Sequence, residues 1–273
     1  MKISIVTASF NQGVYVGRSV ASVRDQVGDF EIEHIIFDNC STDGTVDILK
    51  DYEANPGHVD VRLFIQPDNG QTEAINTGFA LATGDIVCWL NTDEWYEPGA
   101  LACVVGFFEV HPELDVVFGG SRFVDSTGKT LQVKHETFFA RDMLLFYGCF
   151  LPSCATFLRR KIIDDGIVLD PEYRVAMDFD WYMRIADGGY RFAPVQKILA
   201  AFTWHDSNIS TVEGVRAKFE GRSVRDRHAL ISGPEWYREV FYAVSRIWWL
   251  WVRLFRNKFM TFFSLGRRHG PQT

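Results

Sequence analysis

The sequence predicts an α/β fold, in which a mostly parallel central sheet is flanked by helices and followed by a C-terminal helical extension. The first observation is that short β-branched segments alternate with helix-periodic segments over about the first hundred residues. The second is that short loops join these segments, as is typical of strands connected by crossover helices. The third is a sharp change of composition from Glu235 onward, where aromatic and aliphatic side chains become dense.

The N-terminal part is predicted to contain four strands and three helices in alternation. The strands are predicted at residues 3–7, 33–37, 61–66 and 86–90. The helices are predicted around residues 16–23, 45–52 and 74–81, where apolar side chains recur at helical spacing. The last strand, Ile-Val-Cys-Trp-Leu, is almost wholly apolar, so we expect it at the centre of the sheet with both faces buried.

The middle of the chain, about residues 98–191, is predicted to mix shorter elements. Strands are expected at residues 116–118 and 121–124, and a turn at 125–128 leads into a hairpin partner at 130–133. A helix is predicted at residues 176–186, closed by Gly188 and Gly189.

Composition and charge argue against some classes of function and indicate a compartment. The net charge of −7 argues against a nucleic-acid binder, because contacts with phosphates need a surplus of Lys and Arg. The five cysteines are irregularly spaced and include no CxxC pair, which indicates reduced thiols in a cytosolic protein. The N-terminus runs directly into a strand pattern rather than a secretory signal, so we expect a cytoplasmic protein.

Polar clusters follow three of the predicted strands, at residues 9–11, 38–43 and 91–94. In a parallel sheet, ligands bind beyond the carboxyl ends of the strands, so three clusters at equivalent positions indicate a site. Asp93 and Glu94 at the end of the buried strand have the hard oxygen ligands that Mg²⁺ or Mn²⁺ prefers. The alternative is an ordinary strand-end turn with solvated acids.

Four further acidic or imidazole side chains are candidates. Asp38 can accept from a ribose hydroxyl or a base N–H, or it can cap the turn that follows it. Asp178 and Asp180 lie two residues apart at a helix start, so they point in different directions and one can face a cleft as a general base. Alternatively, both favour the helix N-terminus electrostatically. His205 is a lone histidine after a strand-like segment.

In this order and spacing, the segments resemble those of the family 2 glycosyltransferases, an inverting group with the GT-A (Rossmann-like) fold. The resemblance covers roughly residues 3–210, and its segments are 4–11, 38–45, 68–78, 82–85, 90–99, 151–160, 177–180 and His205. It implies a nucleotide-binding half at about residues 1–98 and an acceptor-binding half at about 99–215, together forming a catalytic domain over 1–215. Residues 216–273 form the helical extension.

The resemblance also implies roles for individual residues. Asp178 matches the base that deprotonates the acceptor hydroxyl, Asp93 the metal-binding acid, and His205 a histidine that completes the metal shell. Asp38 is expected on the nucleotide base. The implied nucleotide-sugar-binding set is Thr7, Ser9, Phe10, Asp38, Asn69, Gly70, Asn76, Asn91, Thr92 and Asp93. Glu94 and Asp180 are possible additions: Glu94 replaces the usual last Asp of the metal motif, while Met177 replaces the usual acid before Asp178.

The function so implied is transfer of a sugar, with inversion, from a nucleoside-diphosphate sugar to a hydroxyl of a glycan or lipid-linked glycan in cell-surface polysaccharide synthesis, with Mn²⁺ or Mg²⁺. UDP is the expected nucleotide, with GDP and dTDP as alternatives. A non-catalytic sugar-nucleotide sensor or scaffold, or a nucleotidyltransferase of similar fold, are the competing interpretations. A dehydrogenase is disfavoured because no GxGxxG follows the first strand.

The C-terminal segment is predicted to form an amphipathic helix. Arg238, Arg246, Arg253 and Arg256 fall within one arc, while most of the remaining circumference is apolar. Its uninterrupted apolar run is too short to span a bilayer, which needs about 20 residues. Arg267 and Arg268 extend the basic character toward anionic lipid. We therefore expect peripheral attachment to the inner face of the membrane, with packing on the catalytic domain or a homodimer contact as alternatives.

Overall fold

The computed structural model describes residues 1–135, 138–205, 208, 212–229 and 234–266. Within these ranges the strands are β1 (Lys2–Ser9), β2 (Glu31–Asp38), β3 (Val59–Ile65), β4 (Ile86–Trp89), β5 (Glu94–Tyr96), β6 (Val116–Val124), β7 (Thr130–Lys134), β8 (Thr156–Arg159) and β9 (Phe192–Thr203). The helices are α1 (Val16–Arg24), α2 (Thr45–Ala54), α3 (Gln71–Leu81), α4 (Ala100–Val110), α5 (Arg141–Tyr147), α6 (Lys161–Asp164), α7 (Met177–Asp187), α8 (Gly214–His228) and α9 (Glu235–Gly266).

These strands form one sheet in the order β3-β2-β1-β4-β8-β6-β9-β5, and β7 pairs with β6. The first four strands are mutually parallel, as the strand–helix alternation predicts. Beyond β4 the sheet is mixed: β8 runs antiparallel to both β4 and β6, whereas β6 and β9 are parallel. The α/β fold is therefore confirmed, with the antiparallel pairs confined to the second half.

Alternation along the central strands divides the core between the two faces of the sheet. Ile3 and Ile5 of β1 face α1 and α4, whereas Val6 faces α3 and the cluster around α7. Every residue of β4 is buried, which confirms the central position predicted from its apolar sequence. Covering helices on both faces leave the strand ends as the edge where polar side chains can gather.

Several elements after β4 differ from the pattern expected from the sequence. The two strands predicted at 116–118 and 121–124 form one continuous strand, β6, because glycines 119 and 120 remain extended between them. Helix α4 was not predicted, although its residues are apolar on the buried side. Strand β5 is only three residues long and pairs antiparallel with β9, so it depends on a partner distant in sequence.

The C-terminal helix α9 packs on α5, where Phe146 meets Phe241 and Tyr242. Arg238 donates to Asp226 of α8, Arg253 donates to Tyr147, and Arg256 lies over the ring of Phe138. These three arginines of the predicted arc therefore contact the protein, as the alternative of packing on the catalytic domain expects for this side, while membrane attachment stays a prediction. None of the described helices combines the length and hydropathy of a transmembrane span. Arg267 and Arg268 lie outside the described residues.

Candidate active site

The carboxyl ends of β1, β2 and β4 lie side by side at one edge of the sheet. Ser9 pairs in register with Asp38, and Leu90 donates its N–H to Val6. This register brings two of the polar clusters predicted from the sequence directly together, and it sets the third beside them. Among the described residues, the non-glycine residues with positive φ are Asn11 and Cys40, at 53° and 52°, and both lie in these loops. Such unfavourable conformations concentrate at functional sites.

Asp38 organises the loop after β2. Its carboxylate is fully buried and accepts two 2.7 Å hydrogen bonds, from the N–H and the hydroxyl of Ser41. The Ser41 hydroxyl in turn accepts from the N–H of Asn11, which ties the first two loops together. The turn-capping interpretation of Asp38 is thus confirmed, while its contact with a nucleotide base stays a prediction. Phe10, next to Asn11, leaves 55% of its surface exposed and can stack on a ligand.

Thr7 and Ser9 occupy different environments on β1. The Thr7 hydroxyl is buried and donates to the Leu90 carbonyl at 2.7 Å, so it accepts from Nε2–H of His34 at 2.9 Å. The Thr7 hydroxyl thus has both of its partners inside the sheet, and the predicted contact of Thr7 with the nucleotide stays a prediction. Ser9 is also buried, but its hydroxyl has no hydrogen-bond partner among the described residues. Ser9 is thus better suited to meet a ligand.

The loop before α3 is held by its own side chains. Gly70 has a φ of 122° and donates to Asp68, while Asn69 donates its N–H to Glu73 in the first turn of α3. The side-chain amide of Asn76 donates to the carbonyl of Leu169 and accepts from the N–H of the same residue, so its predicted contact with a nucleotide sugar stays a prediction. Both functional groups of Asn76 hold the chain before α7.

Asn91 and Thr92 form the turn between β4 and β5. The Asn91 side chain accepts from the Gln71 amide at 2.6 Å, which links this turn to the start of α3. Thr92 is buried and lines a small pocket of about 150 Å³ together with Asp93. These residues therefore lie at the site, and their contact with a nucleotide sugar stays a prediction.

Asp93 and His205 come together although 112 positions separate them in the chain. His205 Nε2 lies 3.2 Å from Asp93 Oδ2, and the imidazole stacks on Tyr15 with ring centroids 4.7 Å apart. The side-chain amide of Asn208 donates to the same carboxylate oxygen at 2.9 Å, and its side-chain oxygen accepts from the backbone N–H of His205. Burial raises the pKa of Asp93, although hydrogen bonds and the imidazole oppose that shift.

The Asp93–His205 pair fits part of a divalent metal site. Two ligand atoms on adjacent octahedral positions, each about 2.1 Å from the ion, lie about 3.0 Å apart, close to the 3.2 Å seen here. Among the described residues no group of three or more His, Cys, Asp or Glu side chains is arranged to hold a metal ion. Any ion at Asp93 and His205 would thus need further oxygen ligands from a bound phosphate or from water.

Glu94 points away from this pocket. It is buried, accepts from the Asn91 N–H at 2.8 Å, and lines a larger cleft of about 770 Å³. Burial and the neighbouring charge of Asp93 raise the pKa of Glu94 to about 8. The possible addition of Glu94 to the metal site is not supported, because Asp93 ends the turn and lines the small pocket, whereas Glu94 begins β5 and lines the larger cleft.

Asp178 lies at the start of α7 and lines the same cleft as Glu94. One carboxylate oxygen accepts from the Phe179 N–H at 2.7 Å, and the thiol of Cys149 lies 3.6 Å from the other. Burial raises the pKa of Asp178 to about 6, and the two hydrogen bonds limit the increase. A carboxylate with this pKa is largely ionised at neutral pH and basic enough to accept a proton.

Asp180 belongs to an ion cluster behind the cleft. Its carboxylate is fully buried and contacts Arg184, Arg227 and His228. Although burial alone would raise its pKa, the hydrogen bonds from His228 and Arg184 hold the pKa of Asp180 below its usual range. Asp180 therefore faces this ion cluster while Asp178 faces the cleft, so the two aspartates of α7 point in different directions as predicted, and a site role for Asp180 stays a prediction.

Sequence reasoning missed three side chains of the site. Asn208 orients both Asp93 and His205, and its position three residues after the histidine is the only local signal. Arg18 lies in the small pocket with Asp93, and its guanidinium is 3.3 Å from the ring centroid of Trp95. Cys149 contacts Asp178 from a loop after α5. Each is brought in by tertiary packing rather than by a motif.

Comparisons with known proteins fit this geometry. The family profile described as Glycosyl transferase family 2 matches residues 4–168. An uncharacterized glycosyltransferase of Nostoc sp. is 28% identical over 188 residues, which cover 65% of this chain and 57% of that protein. A PGL/p-HBAD biosynthesis glycosyltransferase of Mycobacterium bovis is 31% identical over 185 residues, covering 66% and 68% of the two chains. A Bacillus subtilis protein, provisionally named a teichuronic acid biosynthesis glycosyltransferase, is 26% identical over 223 residues, covering 79% and 84%.

Solved structures share the fold at low sequence identity. Residues 1–349 of S. aureus TarS, in complex with UDP-GlcNAc, superpose with a TM-score of 0.61 at 20% identity, covering 76% of this chain and 60% of that one. The mannosyltransferase PcManGT from Pyrobaculum calidifontis, in complex with GDP-Man and Mn²⁺, gives 0.63 at 15% identity, covering 99% and 76%. These neighbours have the GT-A fold. The family profile covers more than half of the 273 residues, and the chain belongs to glycosyl transferase family 2.

Proposed function

We propose that the protein is an inverting glycosyltransferase that moves a sugar from a nucleoside-diphosphate sugar, with UDP as the nucleotide, to a hydroxyl group of an acceptor. The observation that carries the proposal is that consecutive residues face two different cavities. Asp93 lines the small pocket with Arg18, whereas Glu94 lines the large cleft with Asp178. A donor diphosphate beside Asp93 and an acceptor hydroxyl beside Asp178 would therefore approach each other from the two sides of the peptide that joins Asp93 to Glu94.

In this mechanism Asp178 accepts the proton of the acceptor hydroxyl. The acceptor oxygen forms a bond to the anomeric carbon while the bond from that carbon to the phosphate oxygen breaks, and the nucleoside diphosphate leaves with the electron pair. Attack from the face opposite to the leaving group inverts the configuration. Burial supports the role of Asp178, because it raises the pKa to about 6 without keeping the group protonated at pH 7.

On the donor side, Arg18 of the small pocket is suited to the negative charge that develops on the leaving group. Asp93 and His205 would hold Mn²⁺ or Mg²⁺, and the Mn²⁺ complex of PcManGT supports this assignment. When bound, such an ion supplies positive charge that stabilises the departing diphosphate. Asn208 keeps the Asp93 carboxylate and the imidazole in place.

The decisive variant is Asp178→Asn, which keeps the size of the side chain but removes the base. We expect product formation to fall by about 10²–10⁴-fold, the usual contribution of a positioned base. Nucleoside diphosphate release from a panel of sugar nucleotides with Mn²⁺ measures the activity, and thermal shift measures donor binding, which should be retained. Asp187→Asn is the control, because Asp187 lies on the same helix but pairs with Arg141 instead.

Near-normal turnover in Asp178→Asn would overturn the assignment of the base. Donor binding without any release of nucleoside diphosphate by the unaltered protein would instead favour the non-catalytic sensor. Release of pyrophosphate from a nucleoside triphosphate would favour the nucleotidyltransferase.

The acceptor and the location belong to the same proposal. The relatives named for PGL/p-HBAD and teichuronic acid biosynthesis support synthesis of a cell-surface polysaccharide or glycolipid. An inner-face location is supported by α9, whose outward side carries Trp236, Trp248 and Trp251. Tryptophan is enriched at the interface between membrane and water, so we assign this side to the lipid surface and treat a homodimer contact as the alternative.

A further inference from the structure

The C-terminal helix forms one wall of the cleft that contains Asp178. Arg253 and Leu254 of α9 line this cleft together with Tyr147 and Cys149. Arg253 donates to the Tyr147 hydroxyl, and its guanidinium lies 4.8 Å from the centroid of the same ring. Tyr147 ends α5, and Cys149, two residues later, contacts Asp178. Helix α9 is therefore fixed against the segment that touches the proposed base.

Between Trp236 and Phe255, the part of α9 whose side chains are described, the outward side of the helix is apolar. On a helix of about 3.6 residues per turn, the large exposed apolar residues fall on the side opposite to Tyr242 and Trp249, which pack inward. These exposed residues are Trp236, Val240, Val244, Ile247, Trp248, Trp251, Leu254 and Phe255. Leu254 belongs both to this surface and to the lining of the cleft, so the cleft opens at the edge of the apolar surface.

The lining of the cleft mixes polar and apolar side chains, both in its buried part and at its exposed rim. The buried part includes Glu94 and Ser121, whose hydroxyl has no hydrogen-bond partner among the described residues. The exposed part includes Val133 of β7, Trp204 and Leu254, which are 42%, 45% and 48% exposed. The rim therefore presents the apolar side chains of Val133, Trp204 and Leu254 together with the polar Gln132 and His135, which suits a molecule that has both a polar and an apolar part.

We propose that the cleft accepts an amphiphile. The hydroxyl-bearing head reaches Asp178, and an apolar chain leaves between Val133 and Leu254 along the outward side of α9. This inference rests on the proposed transferase function for the role of Asp178, and it narrows the acceptor class to a molecule that is presented from a lipid surface. Helix α9 would then both attach the protein and guide the acceptor into the cleft.

Cys149 provides a reporter inside the cleft, because its thiol is exposed and lies 3.6 Å from Asp178. The probes are N-ethylmaleimide, which is water-soluble, and a long-alkyl maleimide held in vesicles of phosphatidylethanolamine and phosphatidylglycerol. Cys40 is the internal control, since it is also exposed but lies in the loop after β2. Mass spectrometry of the full chain gives the ratio of Cys149 to Cys40 labelling.

With vesicles we expect the long-alkyl reagent to raise this ratio about tenfold over N-ethylmaleimide, because the surface concentrates the reagent at the mouth of the cleft. The double variant Trp248→Glu, Trp251→Glu changes α9 away from the residues that line the cleft and should abolish this increase. Equal ratios for the two reagents, or an increase that persists in the double variant, would overturn the inference.

This measurement requires no turnover, so it fails independently of the proposed reaction. Selective labelling of Cys149 in a protein that releases no nucleoside diphosphate would leave an amphiphile-binding cleft without the transferase chemistry. Turnover without selective labelling of Cys149 would support the proposed transferase function and contradict the proposal that the cleft binds an amphiphile.

Discussion

The pKa of Asp178 is set by opposing influences within the cleft. Burial raises it to about 6, whereas the Phe179 N–H and the Cys149 thiol stabilise the ionised form. Lys134, His135 and Glu94 line the same cleft, and Tyr182 of α7 also interacts with the carboxylate. Because a base must be ionised, we expect kcat/KM to fall as the pH drops through about 6.

Cys149→Ala removes a hydrogen bond that favours the charged form of Asp178, so the pKa should rise further. A net hydrogen-bond contribution of up to about 1 kcal/mol corresponds to a shift of the acid limb by up to about 0.7 pH unit toward higher pH. Cys149→Ser keeps a donor and is the matched control, with a limb at or below that of the unaltered protein. Identical pH profiles for the two variants would show that the thiol does not influence the base.

His34 makes stability depend on pH through a group remote from the cleft. Burial lowers its pKa to about 3 from 6.5, so between these values the unfolded chain binds a proton that the folded chain does not. Stability is complete above pH 6.5 and falls with decreasing pH, by about 1.4 kcal/mol per unit for this group.

His34→Gln removes this titration while its amide can still reach Thr7 and Tyr52, the two partners of the imidazole. Urea unfolding at pH 7 and pH 5 should show a smaller loss of stability in the variant than in the unaltered protein. The same loss in both proteins would mean that His34 is protonated in the folded state.

At the scale of single residues, the sequence predicts which side chains could take part in the chemistry better than it predicts the contacts of those side chains. The different directions of Asp178 and Asp180 follow from helical geometry, and the resemblance pairs Asp93 with His205. Neither helical geometry nor the resemblance reveals that Asn76 forms hydrogen bonds with Leu169 or that Thr7 forms one with His34. In both pairs, tertiary packing brings the partner close.

Among the elements, α3 is packed unusually closely against β1. A methyl group on Gly78 would lie 2.3 Å from a methyl group of Val6, whereas one on Gly106 in α4 would meet nothing within 4 Å. Gly→Ala in a helix normally stabilises by up to about 1 kcal/mol. We therefore expect Gly106→Ala to stabilise and Gly78→Ala to destabilise, by about 1–3 kcal/mol from overpacking.

Chemical denaturation of the two variants measures both effects in one fold. A stabilised Gly78→Ala variant would mean that α3 can shift away from the sheet at little cost. The same substitution is made in two helices, so helix propensity changes equally in both. A difference in the sign of the stability change therefore reports how closely each glycine is packed.

Elements were predictable where local pattern and burial agree. The alternation of β1 to β4 with three helices could be read from periodicity, since each crossover unit is contiguous in sequence. Strands β5 and β8 are short, and their pairing partners lie far along the chain. Their conformation is decided by those partners, which a local pattern does not contain.

For the whole molecule, the orientation of α9 determines how the protein meets a membrane. The apolar side faces outward, while Arg238, Arg253 and Arg256 contact the protein. We expect the full chain to float with vesicles and to remain bound at high salt, because burial of apolar surface is not screened by ions. The double variant Trp248→Glu, Trp251→Glu should remain at the bottom of the gradient.

Release of the unaltered protein by salt would show instead that basic residues carry the attachment, as the amphipathic sequence pattern first suggests. Loss of a dimer rather than of flotation in the double variant would assign the apolar side to a second copy of the chain. The sequence predicts that α9 has two unlike sides, but it does not reveal which side the rest of the protein covers.

The wall that α9 contributes to the cleft lies beyond residues 4–168, the part matched by the family profile. One wall of the proposed acceptor cleft would thus be encoded in a stretch of the gene separate from the strands and loops of the nucleotide-binding half. Exchange of the C-terminal segment by recombination could then alter which acceptor is used while the nucleotide-binding half is inherited unchanged. An enzyme built in this way can acquire new products in single evolutionary steps, and the boundary before α9 is the natural junction for an engineered chimera.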